Sequence, residues 1–121
     1  GKRELSVDIH PLMFEDMHME SNLYDLVVSY HTIEHIPSPS VIFQKIARIL
    51  KPSGVVCIEV PIGEEEYGNQ DHLHFFSEKS LKLLLENFFS ETRIVENRFT
   101  NADGIIIASL YGIGRYPVRK D

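Results

Sequence analysis

The chain has one cysteine, Cys57, and no tryptophan. A lone cysteine excludes an internal disulfide and fits a reducing cytoplasm. Cys57 lies inside an apolar run, so it reads as core filler rather than a reactive thiol. No stretch approaches the ~20 apolar residues of a membrane-spanning helix, and no signal peptide is visible. Basic residues are in the minority: 12 Lys and Arg against 18 Asp and Glu give a net charge of -6. That offers no basic patch to phosphates, which argues against nonspecific nucleic-acid binding. It leaves open an RNA or protein substrate reached through a partner. Glycine is scarce in the first half, where Gly1 is the only one ahead of Gly54. A glycine-rich loop that brings backbone N–H groups to a ligand is therefore missing before Tyr24. What is present suffices for a core: 43% of the 121 residues are apolar, enough for one domain or part of one.

The most informative stretch is residues 24–61, YDLVVSYHTIEHIPSPSVIFQKIARILKPSGVVCIEVP. Tyr24–Ser29 is a short apolar run, as expected of a strand buried on both faces. Over Val41–Leu50 the apolar residues Ile42, Ile46, Ile49 and Leu50 fall on one helical stripe, widened by Phe43 and Ala47. Ser38 and Pro39 suit its N-cap and first position. Lys51-Pro52-Ser53-Gly54 should stop the helix, and Val55–Val60 is a second β-branched run. Strand, helix and strand at this length predict a parallel pair with a right-handed crossover.

The same stretch resembles the second half of the Rossmann-like domain of class I S-adenosylmethionine-dependent methyltransferases. The resemblance rests on Tyr24-Asp25 opening a strand, Ile33-Glu34-His35-Ile36-Pro37 after it, and Arg48-Ile49-Leu50-Lys51-Pro52-Ser53-Gly54 leading into the next strand. It covers roughly residues 12–112. It implies a three-layer, mostly parallel α/β sheet with an antiparallel C-terminal β-hairpin, and S-adenosylmethionine as methyl donor. It further implies that the domain is partial. The first strand and its glycine loop are absent, and the second strand with them if residues 5–9 are the third, so the chain is a fragment of a longer protein or a shortened member.

Residue by residue, the resemblance places Ser29, Tyr30 and His31 at the carboxyl end of the family's fourth strand, lining the methionine portion of the donor. Glu34 and His35 would shape that pocket; His35 reads equally as a loop packing residue. The adenine-recognising acid after the third strand maps onto Met13, with Phe14 next and Glu15 and Asp16 just beyond. Met13, Phe14 and Asp16 are the candidates there, and the methionine is a departure from the pattern. Met13, Met17 and Met19 read equally as packing. Leu5, Val7 and Ile9 alternate with polar residues, predicting a half-exposed strand. Val7-Asp8-Ile9 resembles the end of a second strand, while the short distance to Tyr24 suits a third. Asp8 also reads as a plain surface residue.

Residues 61–76, PIGEEEYGNQDHLHFF, form a long loop in which His72 or His74 would be a general base for a hydroxyl or amine acceptor. A structural role suits them equally, and their spacing matches no standard metal site. His31-Thr32-Ile33-Glu34-His35 also spells the inverted zinc-peptidase motif. That chemistry needs both histidines on one face of a regular helix, which Pro37 and Pro39 disfavour, so a zinc peptidase is only the remote alternative. No metal is expected.

Ser77 caps a helix over 77–90 with Leu81, Leu84, Leu85 and Phe88 as its apolar stripe. A strand over 91–99 buries Ile94, Asn101-Ala102-Asp103-Gly104 is a hairpin turn, and 105–111 is the last strand. Residues 112–121 read as a tail. The expected activity is methyl transfer to an unidentified acceptor. The alternative is a non-catalytic, methyltransferase-like scaffold or partner subunit. With the first strand absent, the family's fourth strand would have an open edge, covered by residues 5–9 or by a second copy in a homodimer.

Overall fold

The computed structural model describes Phe14 and residues 17–30, 32–61 and 76–118. Four strands and two helices follow in order: β1 (Tyr24–Tyr30), α1 (Pro39–Ile49), β2 (Leu50–Pro61), α2 (Glu78–Glu86), β3 (Phe89–Thr100) and β4 (Ile106–Pro117). A single 3-10 turn, Ile33–His35, lies between β1 and α1. The sheet order is β1-β2-β4-β3. β1 and β2 run parallel, and β4 runs antiparallel to both β2 and β3. This is the expected mixed α/β, Rossmann-like sheet with its terminal hairpin. Among the described residues, parallel pairing is confined to β1 and β2, and both helices pack on one face.

The parallel pair follows from the crossover, since only a connection as long as α1 returns the chain in the same direction. Ser38 is the N-cap of α1 and Pro39 its first residue, but the Ser38 side chain makes no capping bond. Ile42, Phe43, Ile46, Ala47 and Ile49 turn inward. They meet Val56, Ile58 and Val60, which alternate into the core from β2. Leu81 and Leu85 of α2 and Leu110 of β4 close this core. The rings of Phe43 and Phe88 stack, 6.1 Å between centroids.

Three elements depart from expectation. First, β2 begins at Leu50 rather than at Val55. Tyr24 pairs with Leu50, yet Leu26 already pairs with Val55, so two steps on β1 answer five on β2. Lys51–Gly54 therefore bulges from the ladder, at the proline that has no N–H to donate. Second, β1 is not buried on both faces. It is the outer strand among the described residues, and Leu26, Val28 and Tyr30 are about half exposed. Third, residues 112–117 are strand, not tail. Their glycines mask the strand signal, but packing requires them. A Cβ at Gly112 would stand 2.8 Å from Leu85 Cδ1, and one at Gly114 2.7 Å from the Phe89 ring.

α2 starts with a reciprocal cap. Ser77 Oγ accepts from Ser80 N at 3.1 Å, and Ser77 N donates to Ser80 Oγ at 2.8 Å. The helix ends at Glu86, and β3 begins at Phe89, sooner than the periodicity indicates. Ile94 is half-buried against the core. Asn101 builds the hairpin turn: its Oδ1 accepts from Asp103 N and Ile105 N at 2.9 and 3.0 Å. Gly104 takes the left-handed conformation there, at φ 78.

Candidate functional site

In an open sheet with parallel strands, ligands bind beyond the carboxyl ends of those strands. Here that is the end of β1, beside β2. Ser29 pairs with Ile58 and Tyr30 with Glu59, so their side chains point to opposite faces. Ser29 is half-buried on the helix-covered face, and Tyr30 is exposed on the open one. Beyond them Thr32 Oγ1 donates to the Tyr30 carbonyl at 3.0 Å, turning the chain. The 3-10 turn follows at once. Three residues of 3-10 helix, closed by Ile36 in extended conformation, cannot carry the regular helix that a zinc-peptidase site needs. Among the described residues no group of three or more His, Cys, Asp or Glu could hold a metal.

The turn buries Ile33 and Glu34 completely, each 1% exposed. Among the described residues neither carboxyl oxygen of Glu34 has a hydrogen-bond partner. Glu34 Oε1 lies 3.6 Å from His35 Nε2, on a half-exposed ring.

Phe14 lies against α1. Lys45 Nζ sits 4.7 Å above its ring centroid and donates to the carbonyls of Phe14 and Met17. One turn on, Arg48 donates to the Met19 carbonyl at 3.0 Å. The chain entering β1 is thus laced to α1 by two cations of one helix face. Of the other expected site residues, Met13, Asp16, His31, His72 and His74 fall outside the described residues.

One arrangement was not legible beforehand. Tyr30, Glu59 and Tyr111 lie side by side across β1, β2 and β4 on the open face, with Cys57 one row below. Tyr111 hydrogen-bonds Glu59, and that bond, with burial and the carboxylate charge, holds its phenol above the ordinary value. Burial raises the Cys57 thiol, partly offset by a hydrogen bond from Tyr30, while the charge of Glu59 raises it further. The missing signal is register: the three polar residues come from distant strands, and only the pairing aligns them.

A family model described as a methyltransferase domain matches residues 4–88. No curated protein matches significantly. Among solved structures, an S-adenosylmethionine-dependent methyltransferase of Thermotoga maritima has a TM-score of 0.69 at 17% identity, covering 84% of this chain and 60% of that one. The N-methyltransferase NodS of Bradyrhizobium japonicum, in complex with S-adenosyl-L-homocysteine, has a TM-score of 0.67 at 14% identity, over 90% and 54%. A phosphoethanolamine N-methyltransferase of Haemonchus contortus, holding phosphomonomethylethanolamine and S-adenosylhomocysteine, has a TM-score of 0.66 at 15% identity, over 86% and 36%. The chain thus spans between about a third and three fifths of these three proteins. It belongs to the methyltransferase-domain family, and its fold is that of the class I S-adenosylmethionine-dependent methyltransferases.

Proposed function

We propose that the domain takes part in methyl transfer from S-adenosylmethionine to a nucleophilic acceptor. The observation that carries this reading is the family match over residues 4–88, together with the parallel β1 and β2 that present Ser29 and Tyr30 at a carboxyl end. Two similar structures hold S-adenosylhomocysteine, the product of the donor. In the reaction the acceptor's lone pair attacks the methyl carbon as the carbon–sulfur bond breaks. The electron pair returns to sulfur, and the acceptor gives up a proton. The protein's contribution is alignment of donor and acceptor, with His72 or His74 as base where the acceptor must lose its proton early. Ser29, Tyr30 and His31 line the methionine end in this reading, and Met13, Phe14 and Asp16 the adenine end.

Full donor affinity in this reading depends on a glycine-rich segment outside these 121 residues, since none precedes Tyr24. That same feature favours the second reading, a scaffold or partner subunit that keeps the sheet without the donor site. The lone Cys57 fits a cytoplasmic setting for either.

Calorimetric titration with S-adenosylhomocysteine separates the two. Micromolar binding that weakens at least tenfold in Tyr30→Ala supports the enzyme. A folded sample that releases no heat of binding overturns donor binding by this chain and leaves the scaffold.

A further inference from the structure

Tyr30, Glu59, Tyr111 and Val95 stand in one row across β1, β2, β4 and β3, each paired with the next. Neighbouring strands are about 5 Å apart, so the Glu59 carboxylate has a tyrosine on either side. We propose that this row is one wall of a binding site for an organic cation, with an ammonium group held by Glu59 between the two rings. Its further assignment, to a methyl acceptor that carries an amino group, rests on the methyl-transfer reading. The place of the row follows from register and from the strand ends, beyond which ligands of such sheets bind. Tyr30 is the last residue of β1, and Glu59 is two residues from the end of β2. Neither fact depends on how much of this face is covered.

The charge of the ligand follows from where the protons of the row are held. Tyr111 donates its hydroxyl proton to Glu59, and Tyr30 donates its own to Cys57. Both phenols keep their oxygen lone pairs, and a carboxylate accepts about four hydrogen bonds, of which Tyr111 supplies one. The row therefore offers acceptors and ring faces. An ammonium group suits both: its N–H groups donate to the carboxylate, and its charge is drawn to the aromatic faces. An anion would meet the like charge of Glu59, and a hydroxyl would gain one hydrogen bond without the attraction of the rings. The next row on this face holds Cys57 and Ile113, which give the site an apolar border. The arginines that share the face, Arg93 and Arg115, stand one and two rows further from the strand ends, paired with Ile113 and Val55. The net charge of -6 also favours the approach of a cation.

The test is an NMR titration of the 121-residue chain with benzylammonium, benzyl alcohol and benzoate, three probes of one shape and different charge. Benzylammonium should bind at least tenfold tighter than the other two and move the amide signals of Glu59 and Tyr111. Glu59→Gln keeps the shape of the side chain without its charge and should weaken benzylammonium at least tenfold. Tyr30→Leu, at an exposed position, keeps the test open if Glu59→Gln fails to fold, and should weaken it at least threefold. Benzylammonium bound no tighter than benzyl alcohol, or bound equally well by the folded variants, overturns the proposal. The titration with S-adenosylhomocysteine is read separately. Binding of S-adenosylhomocysteine without benzylammonium overturns the cation site and leaves methyl transfer standing. The reverse supports the cation site and overturns its assignment to the methyl acceptor.

Discussion

The two outer strands of the sheet are built on opposite plans. β3 has Phe89 at its start, 1% exposed, and α2 packed across it. Its exposed positions alternate Glu91, Arg93, Glu96 and Arg98, with an ion pair between Arg98 and Glu96 at 2.6 Å. β1 has no buried residue and a single charge, Asp25, which meets Lys51 at 3.1 Å in solvent. An edge strand needs charges, bulges or a cover to stay unpaired. β3 has charges; β1 has only the bulge opposite its first residues. The edge left open among the described residues is also the one whose carboxyl end carries the candidate site. Its exposure and its function therefore belong to the same strand, while the hairpin side supplies the anchoring.

That contrast predicts where substitutions are felt. Phe89→Ala should have the largest effect, roughly 3–5 kcal/mol, because it empties the contact between the start of β3, the core and the space left by Gly114. Leu26→Ala removes a comparable apolar mass from a half-exposed position and should leave denaturant unfolding of the monomer almost unchanged. Urea titrations at low protein concentration make the comparison. If both substitutions cost the same, β1 is covered in solution and the contrast fails.

The two helix N-caps sharpen it further. Both helices begin after a serine, but only Ser77 makes the capping bonds, with Ser80; Ser38 makes none and relies on Pro39. Ser77→Ala should cost about 1 kcal/mol, while Ser38→Ala should cost little. Thermal unfolding of the two variants is the check. Equal losses would mean that α1 is capped by a rotamer of Ser38 other than the one seen.

What was legible in the sequence is what local chemistry determines. The stripe of Ile42, Ile46 and Ile49, the Ser77 cap and the Asn101–Gly104 turn each announce themselves within a few residues. The errors lie where a distant partner decides. Gly112 and Gly114 look like the start of a tail, because nothing nearby shows that Leu81, Leu85 and Phe89 will press against them. Leu50 looks like a helix end, because its pairing with Tyr24 spans the whole crossover. β1 looks like a buried central strand by composition alone. Ser29-Tyr30 closes a strand, as the apolar run before it indicates. The burial of Glu34 and the row Tyr30, Glu59 and Tyr111 depend on packing and register, which no local pattern encodes.

The smallest effect concerns Cys57, and it tests whether β1 keeps its register on β2. Burial holds the thiol above its ordinary value, and the hydrogen bond from Tyr30 works against that shift. The midpoint of its pH–rate profile with an aromatic disulfide reagent should therefore lie above that of a free thiol. In Tyr30→Phe the opposing hydrogen bond is gone, so the midpoint should move higher still. The sign for stability follows from the raised value: folding favours the neutral thiol. Its contribution is complete below the ordinary thiol range and is lost as pH rises through the folded value. A midpoint is read instead of a rate because removing the hydroxyl also changes access to the sulfur. An unmoved midpoint would mean that Tyr30 does not stand beside Cys57. The exposed strand would then sit on β2 in a different register, and the pairing of Tyr30 with Glu59 would fall with it.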